Sequence, residues 1–308
     1  MFAEKSTFYT IAIALLSFLA HKSRAVDEKH VLFWNVLEGA GNGKMTHIKS
    51  YIESKQFHIV GFSELNGWNR KSFHKYFEES YPHSVFLKTK TGYHLGAISQ
   101  YPITLLEKTA QNPMHHGYIF FESMGIKFVL THLNPHSSEN RLREVQHILN
   151  VTDPYRSEEN DEASHLCFIG DFNTLSSTDT YSNRQLKKIF EDARTKKKFF
   201  AHTENGYEVD YRPYKLLIKS GMVDTGLAND WTVPTPANYD IMHATRLRLD
   251  MIFCRQAYHG PQLKNSIVHK ESLVEKLSDH FPVSISLSGR NRDGEKYFDP
   301  NGMKNIEL

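Results

Sequence analysis

Several apolar segments of this chain stop abruptly at a polar side chain that is capable of chemistry. In the stretch CFIGDFNTLS, residues 167–176, an apolar run ends at Gly170 and is followed by Asp171 and Asn173. A carboxylate buried without a partner costs several kcal/mol or more, so other groups must compensate Asp171. The same design recurs along the chain, at Asn35, Glu64, His132, Asp250, Asp279 and His280. Because strand ends in layered α/β folds can converge on one crevice, we expect these residues to share a site.

The apolar runs alternate with segments of helical periodicity. Strand-like runs lie at residues 31–36, 58–62, 84–87, 95–99, 119–122, 127–131, 165–169, 247–253, 266–269 and 282–287. Stripes with helical spacing lie between them, at residues 45–52, 73–77, 142–149 and 186–190. This alternation predicts mixed β-sheets flanked by helices, an α/β sandwich within one domain spanning residues 26–289. Residues 290–308 are polar and are expected to form a tail.

The residue types at these strand ends suit phosphate chemistry. Glu64 and Asp279 offer hard oxygen ligands, for which Mg²⁺ or Mn²⁺ is the natural metal. His280 has Asp279 beside it and Asp250 elsewhere in the chain, which allows a carboxylate to orient the imidazole and raise its pKa, so that the imidazolium can donate to a phosphate oxygen. Asp171 would align or deprotonate a water molecule, with Asn173 holding the geometry. No serine lies in a nucleophile-elbow pattern and neither cysteine has an obvious base beside it, so water is the expected nucleophile.

Basic residues that would stabilise a phosphoryl transition state are less clearly marked. In an extended segment, Arg246, Arg248 and Asp250 share one face, which makes the two arginines candidate substrate-binding residues, with a rim salt bridge as the alternative. Arg141 and Arg143 follow the His132 segment and suit either a phosphate clamp or a solvated helix face. The basic and aromatic stretch RTKKKFF, residues 194–200, favours a solvated loop over a nucleic-acid arm.

The N-terminus and the charge balance bear on compartment and partners. Residues 1–25 have a charged start, a short apolar stretch and small residues before a cleavage position, which predicts a signal peptide and a secreted protein. The sequon at Asn150 fits export, and the two cysteines, Cys167 and Cys254, are as compatible with free thiols as with a bridge. The formal net charge of +2 is too small to indicate a dedicated nucleic-acid binder.

Taken together and in chain order, these motifs resemble the endonuclease/exonuclease/phosphatase superfamily, which includes deoxyribonuclease I-like nucleases and neutral sphingomyelinases. The resemblance runs from about residue 31 to 287. The matching segments are the first-strand Asn35, GFSELNGW with Glu64, GYHLGAISQYPI, THLNP with His132, GDFNT with Asp171 and Asn173, RLDMIF with Asp250, and SDHFPV with Asp279 and His280. The residue two after Asn35 is Leu37 rather than the carboxylate of the abasic-site branch, which leaves the number of metal ions open.

The resemblance implies a four-layer α/β sandwich with two stacked mixed β-sheets. It places Glu64 and Asp279 near Mg²⁺, and His280 in a pair with Asp250. It further implies that Asn35, Asp171 and Asn173 contact the attacking water and the phosphate, and that His132 contacts the scissile phosphate.

Three functions follow as hypotheses. The first is a secreted, divalent-metal-dependent nuclease acting as a monomer, with no protein partner predicted. The second is a sphingomyelinase-like phospholipid phosphodiesterase, which the segment 92–103 slightly favours but which no amphipathic membrane helix supports. The third is a homologue that has lost activity and binds a partner, against which the retained acidic and histidine residues argue.

Overall fold

The computed structural model describes residues 28–155, 166–191, 198–238, 245–255, 262–263 and 265–288. The predicted signal peptide at 1–25 and the predicted polar tail at 290–308 lie outside these residues. Among the described residues, no helix combines the length and the apolar character needed to cross a membrane.

The first sheet has seven strands and contains both chain ends of the described fold. Its order is β13-β15-β1-β2-β4-β3, with β14 also paired to β15. Strands β1 and β2 are parallel, whereas the other neighbours are antiparallel. The strands are β1 (Glu28–Asn35), β2 (Ile59–Ser63), β3 (His83–Leu87), β4 (Leu95–Ser99), β13 (Gln262–Leu263), β14 (Ile267–Val268) and β15 (Val283–Ser288).

The second sheet has six strands in the order β11-β12-β8-β7-β6-β5. Strands β7 and β8 are its parallel pair, and the others are antiparallel. The strands are β5 (Thr104–Thr109), β6 (Tyr118–Ser123), β7 (Ile126–His132), β8 (Leu166–Asp171), β11 (Val223–Asp224) and β12 (Asp250–Arg255). A separate hairpin joins β9 (Phe200–Thr203) to β10 (Gly206–Val209).

The two sheets pack face to face and each has helices on its outer face. Alternate residues of β1 divide between two cores: Val31 and Phe33 lie between the sheets, whereas Leu32 and Trp34 face the helices. Helices α1 (Lys44–Ser54) and α2 (Arg70–Phe77) contribute to the core on the first sheet, and α3 (Ser138–Thr152) and α5 (Arg212–Lys219) to the core on the second. Strands covered on both faces read as continuous apolar runs, as these do. The four-layer sandwich predicted from the sequence is therefore confirmed.

Several elements of the secondary structure were not predicted, among them β5, α5 and the β9–β10 hairpin. Strand β5 is mostly exposed and charged, so it lacks the apolar run that marks the inner strands. Helix α5 lies in the turn-rich segment after residue 202 and packs on α3 in the core of the second sheet. The four predicted helical stripes form α1, α2, α3 and α4 (Asn183–Glu191).

Cys167 and Cys254, whose pairing the sequence left open, form a disulfide. The two residues lie directly opposite each other on the antiparallel strands β8 and β12, with Cα atoms 4.1 Å apart. The bridge therefore joins two neighbouring inner strands of the second sheet, the same two strands that carry Asp171 and Asp250.

Candidate active site

Strand pairing brings the predicted polar residues to one edge of the two sheets. In the second sheet, Asp171 is in register with His132 of the parallel strand β7 and with Asp250 of the antiparallel strand β12. In the first sheet, Asn35 at the end of β1 lies opposite Ser63, so Glu64 follows directly beside it. His280 precedes β15, which is the other neighbour of β1. The adjacent residue Gly170 is required because a Cβ atom there would lie 2.1 Å from the Thr131 carbonyl oxygen.

Asp171 is the centre of the hydrogen-bond network. Its Oδ2 atom accepts a hydrogen bond from Asn35 Nδ2 at 3.2 Å and lies 3.5 Å from His132 Nε2 and 3.9 Å from His280 Nε2. Its Oδ1 atom accepts from the backbone N–H of Asn173 at 2.9 Å. The Asn173 side chain donates to the Leu133 carbonyl at 3.1 Å, which ties the end of β8 to the end of β7. These partners compensate the buried charge.

His280 and Asp250 form a buried pair. The His280 Nδ1 and Asp250 Oδ2 atoms are 2.7 Å apart. Burial alone would lower the pKa of His280, but the charges of Asp250 and Asp279 outweigh burial and raise the pKa to about 10. His280 is therefore an imidazolium at neutral pH, with Nε2 directed toward Asp171. Burial and the charge of His280 lower the pKa of His132 well below its usual range, so this second imidazole is neutral.

Glu64 and Asp279 bring two further carboxylates to the same pocket. Glu64 accepts hydrogen bonds from Asn35 Nδ2 at 3.0 Å and from the Glu38 backbone N–H at 3.1 Å. Burial raises the pKa of Glu64 to about 7; Asn35 and the His280 charge oppose this, and Asp279 adds to it. Among the described residues, no Lys or Arg forms an ion pair with Glu64. Glu64, which is half-buried, and Asp279, which is buried, offer hard oxygen ligands of the kind that suit a divalent cation.

A second carboxylate group has the spacing of a metal site. One ligand atom each from Asp171, Asp250 and His280 lies within 4.8 Å of the others. The imidazole nitrogen of a metal ligand must be unprotonated, but His280 is held in its charged form by Asp250. Glu64 and Asp279, by contrast, offer oxygen atoms alone.

A cavity of about 1020 Å³ is lined by Glu64, His132, Asp171, Asn173, Asp279 and His280, whereas Asn35 and Asp250 are not part of its lining. Its lining includes a group of packed rings: His116 stacks on His132 with ring centroids 4.3 Å apart and meets Tyr93 edge-on with centroids 5.1 Å apart. The lining also includes apolar side chains, among them Ile189, Phe199 and Leu247. Two lysines, Lys188 and Lys198, also line the cavity.

Lys198 is the functional candidate that the sequence did not indicate. The stretch 194–200 favoured a solvated loop, but Lys198 faces Asp171, Glu64 and Asp279 in the cavity. Burial lowers the pKa of Lys198 to about 8, against the opposing charge of Asp171. The charged form is favourable beside three carboxylates and an incoming phosphate. Its place in the cavity is set by the tertiary structure and is not marked in the local sequence.

The arginines predicted to bind substrate lie elsewhere. Arg248 is almost fully buried, where it donates to Asp224 at 2.8 and 3.0 Å and to Asp179 at 3.3 Å. It does not line the cavity, so the structure assigns it a structural role in place of the predicted substrate contact. Arg246 is exposed and stacks on Trp231, with its guanidinium carbon 4.0 Å from the ring centroid, in a separate small cavity. Regular strand geometry begins only at Asp250, so the predicted common face does not form.

Arg141 is also structural. Its side chain is completely buried and donates from Nη1 to the Asn134 carbonyl at 2.8 Å and from Nη2 to the carbonyl of Lys198. Arg141 thus fixes the backbone that presents Lys198 to the cavity. Arg143, two residues further along α3, is exposed and lies beside Glu139.

The fold and site define a two-sheet α/β sandwich with an acidic and histidine-containing crevice at one strand edge. Residues 32–280 match the model of the Endonuclease/Exonuclease/phosphatase family, and the chain belongs to this family. Family members are metal-dependent phosphodiesterases, and a divalent metal is typical of them. A comparison with curated proteins finds no match.

Solved structures share the fold at low sequence identity. An AP endonuclease from Archaeoglobus fulgidus is 18% identical, with a TM-score of 0.58 over 83% of this chain and 98% of that one. The 3'-5' exonuclease NExo from Neisseria meningitidis is 17% identical, with a TM-score of 0.58 over 84% and 99%. D. rerio TDP2 complexed with single strand DNA product is 16% identical, with a TM-score of 0.54 over 85% and 99%.

Proposed function

We propose that this protein is a secreted, Mg²⁺- or Mn²⁺-dependent nuclease that hydrolyses phosphodiester bonds with water as the nucleophile. The observation that carries the proposal is the contact set of Asp171. A single carboxylate oxygen is shared by an amide donor from Asn35, a neutral imidazole from His132 and an imidazolium from His280. Such a group is placed to align a water molecule and accept its proton.

The other side chains have complementary roles in this proposal. His280, kept charged by Asp250, donates from Nε2 to a phosphate oxygen as negative charge develops. The neutral His132 offers a further hydrogen bond at the same phosphate, and its Nδ1 atom has no partner among the described residues. Asn173 acts as a positioning residue, because it holds the Asp171 carboxylate through its backbone N–H.

Glu64 and Asp279 would hold the divalent cation. When bound, such a cation neutralises phosphate charge and acts as a Lewis acid. Lys198, which also lines the cavity, adds a positive charge. The carboxylates, the lysine and the imidazolium thus surround the volume that a phosphodiester would occupy.

Nucleic acid is the substrate class that the cavity favours. Lys188 and Lys198 are cationic, which suits a polyanion and disfavours a choline headgroup. The apolar side chains Ile189, Phe199 and Leu247 are the observation in favour of the phospholipid alternative. For secretion, the Cys167–Cys254 disulfide supports the proposal, since disulfides persist in oxidising compartments.

Substrate assays with matched variants test this proposal. Purified protein would be incubated with plasmid DNA, RNA or sphingomyelin vesicles, in Mg²⁺ or in chelator. We expect cleavage of nucleic acid with Mg²⁺ alone, and its loss in Asp171→Asn. Asp230→Asn is the control, because Asp230 pairs with Lys270 and does not line the cavity. Release of choline phosphate without nucleic-acid cleavage would refute the nuclease. If neither the wild type nor Asp171→Asn cleaves any of these substrates, the proposal that the protein is an enzyme is refuted.

A further inference from the structure

A second cavity continues from the active-site cavity across one shared histidine. We name it the amide groove; it has a volume of about 430 Å³ and is lined by Lys90, Ala110, Gln111, Asn112, Pro113, Met114, His115, Asn134, Asn140 and Arg143. His115 lines both cavities. At two other points consecutive residues divide between them, since Lys90 and Asn134 line the groove while Thr91 and Pro135 line the active-site cavity. The two cavities therefore form one continuous surface.

The groove is rich in hydrogen-bond donors and has no carboxylate in its lining. Lys90 and Arg143 are exposed cations, and the amides of Gln111, Asn112 and Asn140 offer N–H donors. Lys90 Nζ lies 3.5 Å from Gln111 Oε1, a long contact that a phosphate oxygen can replace. This composition suits an anion with many acceptor oxygens.

The Arg143 charge remains available to a ligand. Its nearest carboxylate, Glu139, lies 3.7 Å from Nε on the same helix face, and both side chains are exposed. Glu139 already accepts from Arg212 at 2.9 Å. Exposed pairs of this kind contribute little to stability, so Arg143 can exchange Glu139 for a phosphate at little cost.

The groove and the active site are held by one buried side chain. Glu144, which is completely buried, accepts the backbone N–H groups of His115 at 2.6 Å and Asn134 at 2.7 Å. These two residues belong to the loops that form opposite sides of the junction between the cavities. The relative position of groove and active site is thus set before a ligand binds.

We propose that the amide groove is a subsite for the phosphodiester backbone of a polynucleotide, binding phosphates that flank the one in the active-site cavity. This inference rests on the proposed nuclease function and extends it from a single phosphodiester to a polymer. A single headgroup phosphate in the active site would leave the groove without a ligand. A strand that carries a phosphate on every nucleotide meets Lys90 and Arg143 when it passes His115.

Equilibrium binding in the full chain tests the groove without turnover. A fluorescein-labelled single-stranded 12-mer would be titrated by anisotropy against the Asp171→Asn protein, with or without Lys90→Gln/Arg143→Gln, over a salt series in Mg²⁺. For single strands, log K falls with log salt, and each phosphate contact contributes about 0.7 to the steepness of that fall. The double change should therefore make the slope shallower by about 1.4. It should also weaken binding roughly tenfold near 0.1 M salt.

Arg70→Gln/Lys75→Gln is the matched control, because it removes the same charge from α2, on the outer face of the first sheet. If both double variants weaken binding of the 12-mer equally, the proposal that the amide groove binds phosphates is wrong. It is also wrong if the groove variant leaves the salt slope unchanged. Failure of the 12-mer to bind at all would also overturn it. Binding through the groove by a wild-type protein that cuts no nucleic acid would instead leave the groove standing and refute the nuclease.

Discussion

The pKa of Glu64 makes the affinity for the divalent cation depend on pH in a defined window. Without metal, burial raises this pKa from 4.5 to about 7. A cation binds the carboxylate, not the acid, so below pH 7 each metal ion must displace a proton. The apparent Kd for Mg²⁺ should therefore rise about fivefold from pH 7 to pH 6, which is about 1 kcal/mol, and approach tenfold per pH unit below pH 6. Above pH 7.5 the dependence should flatten.

When no metal is present, Glu64 should also make the stability of the fold depend on pH. This dependence has the opposite direction, because raising the pH strengthens metal binding but weakens the metal-free fold. Because the folded-state pKa of Glu64 lies above its ordinary value, the folded chain binds more protons between pH 4.5 and 7. Stability is then greatest at low pH and declines as pH rises through about 7, by at most about 3 kcal/mol at 1.36 kcal/mol per pKa unit. Saturating Mg²⁺ should remove this decline.

Calorimetric titration of Mg²⁺ at several pH values, with urea unfolding in chelator, measures both effects. Glu64→Gln should weaken Mg²⁺ binding at pH 8 and abolish its pH dependence, and in chelator it should flatten the decline in stability. Glu144, whose pKa burial also raises to about 7, accepts backbone N–H groups and provides the comparison in Glu144→Gln. An Mg²⁺ affinity that is constant from pH 6 to 8 in the wild type would refute the assignment of Glu64 as a ligand.

Three further perturbations have separable outcomes. Asp250→Asn should lower kcat by about 10²–10⁴ through loss of the charged His280, with an unchanged circular dichroism spectrum; activity within twofold of wild type would contradict the pairing. Arg248→Met should lower the free energy of unfolding in urea by about 3–5 kcal/mol, because two buried aspartates lose their partner. The kcat of the folded fraction should stay within a few-fold of wild type. A large loss of kcat at full stability would instead indicate that Arg248 contacts the substrate. Reduction of the Cys167–Cys254 bridge, which spans 87 residues, should lower stability by about 4 kcal/mol; equal unfolding midpoints with and without reductant would count against it.

The candidate site was predictable to the extent that its residues lie at the end or the start of an apolar strand. Asn35, Glu64, Asp171 and His280 are marked by this local pattern, and the structure brings their side chains together. Lys198 carries no such mark, since a basic residue in a charged stretch has the same local signature in a solvated loop. Its place in the cavity depends on Arg141, which holds the Lys198 carbonyl from another element.

The sequence by itself determined the layers of the fold and the strand ends that carry chemistry, because periodicity and apolar run length are local properties of the chain. Only the tertiary structure decided which charged side chains pair with each other. Arg248 was expected to face the site, but its guanidinium pairs with the buried carboxylates of Asp179 and Asp224, which are distant from it in sequence. The protonation states of Glu64 and His280 likewise arise only from burial and from neighbours that are distant in sequence.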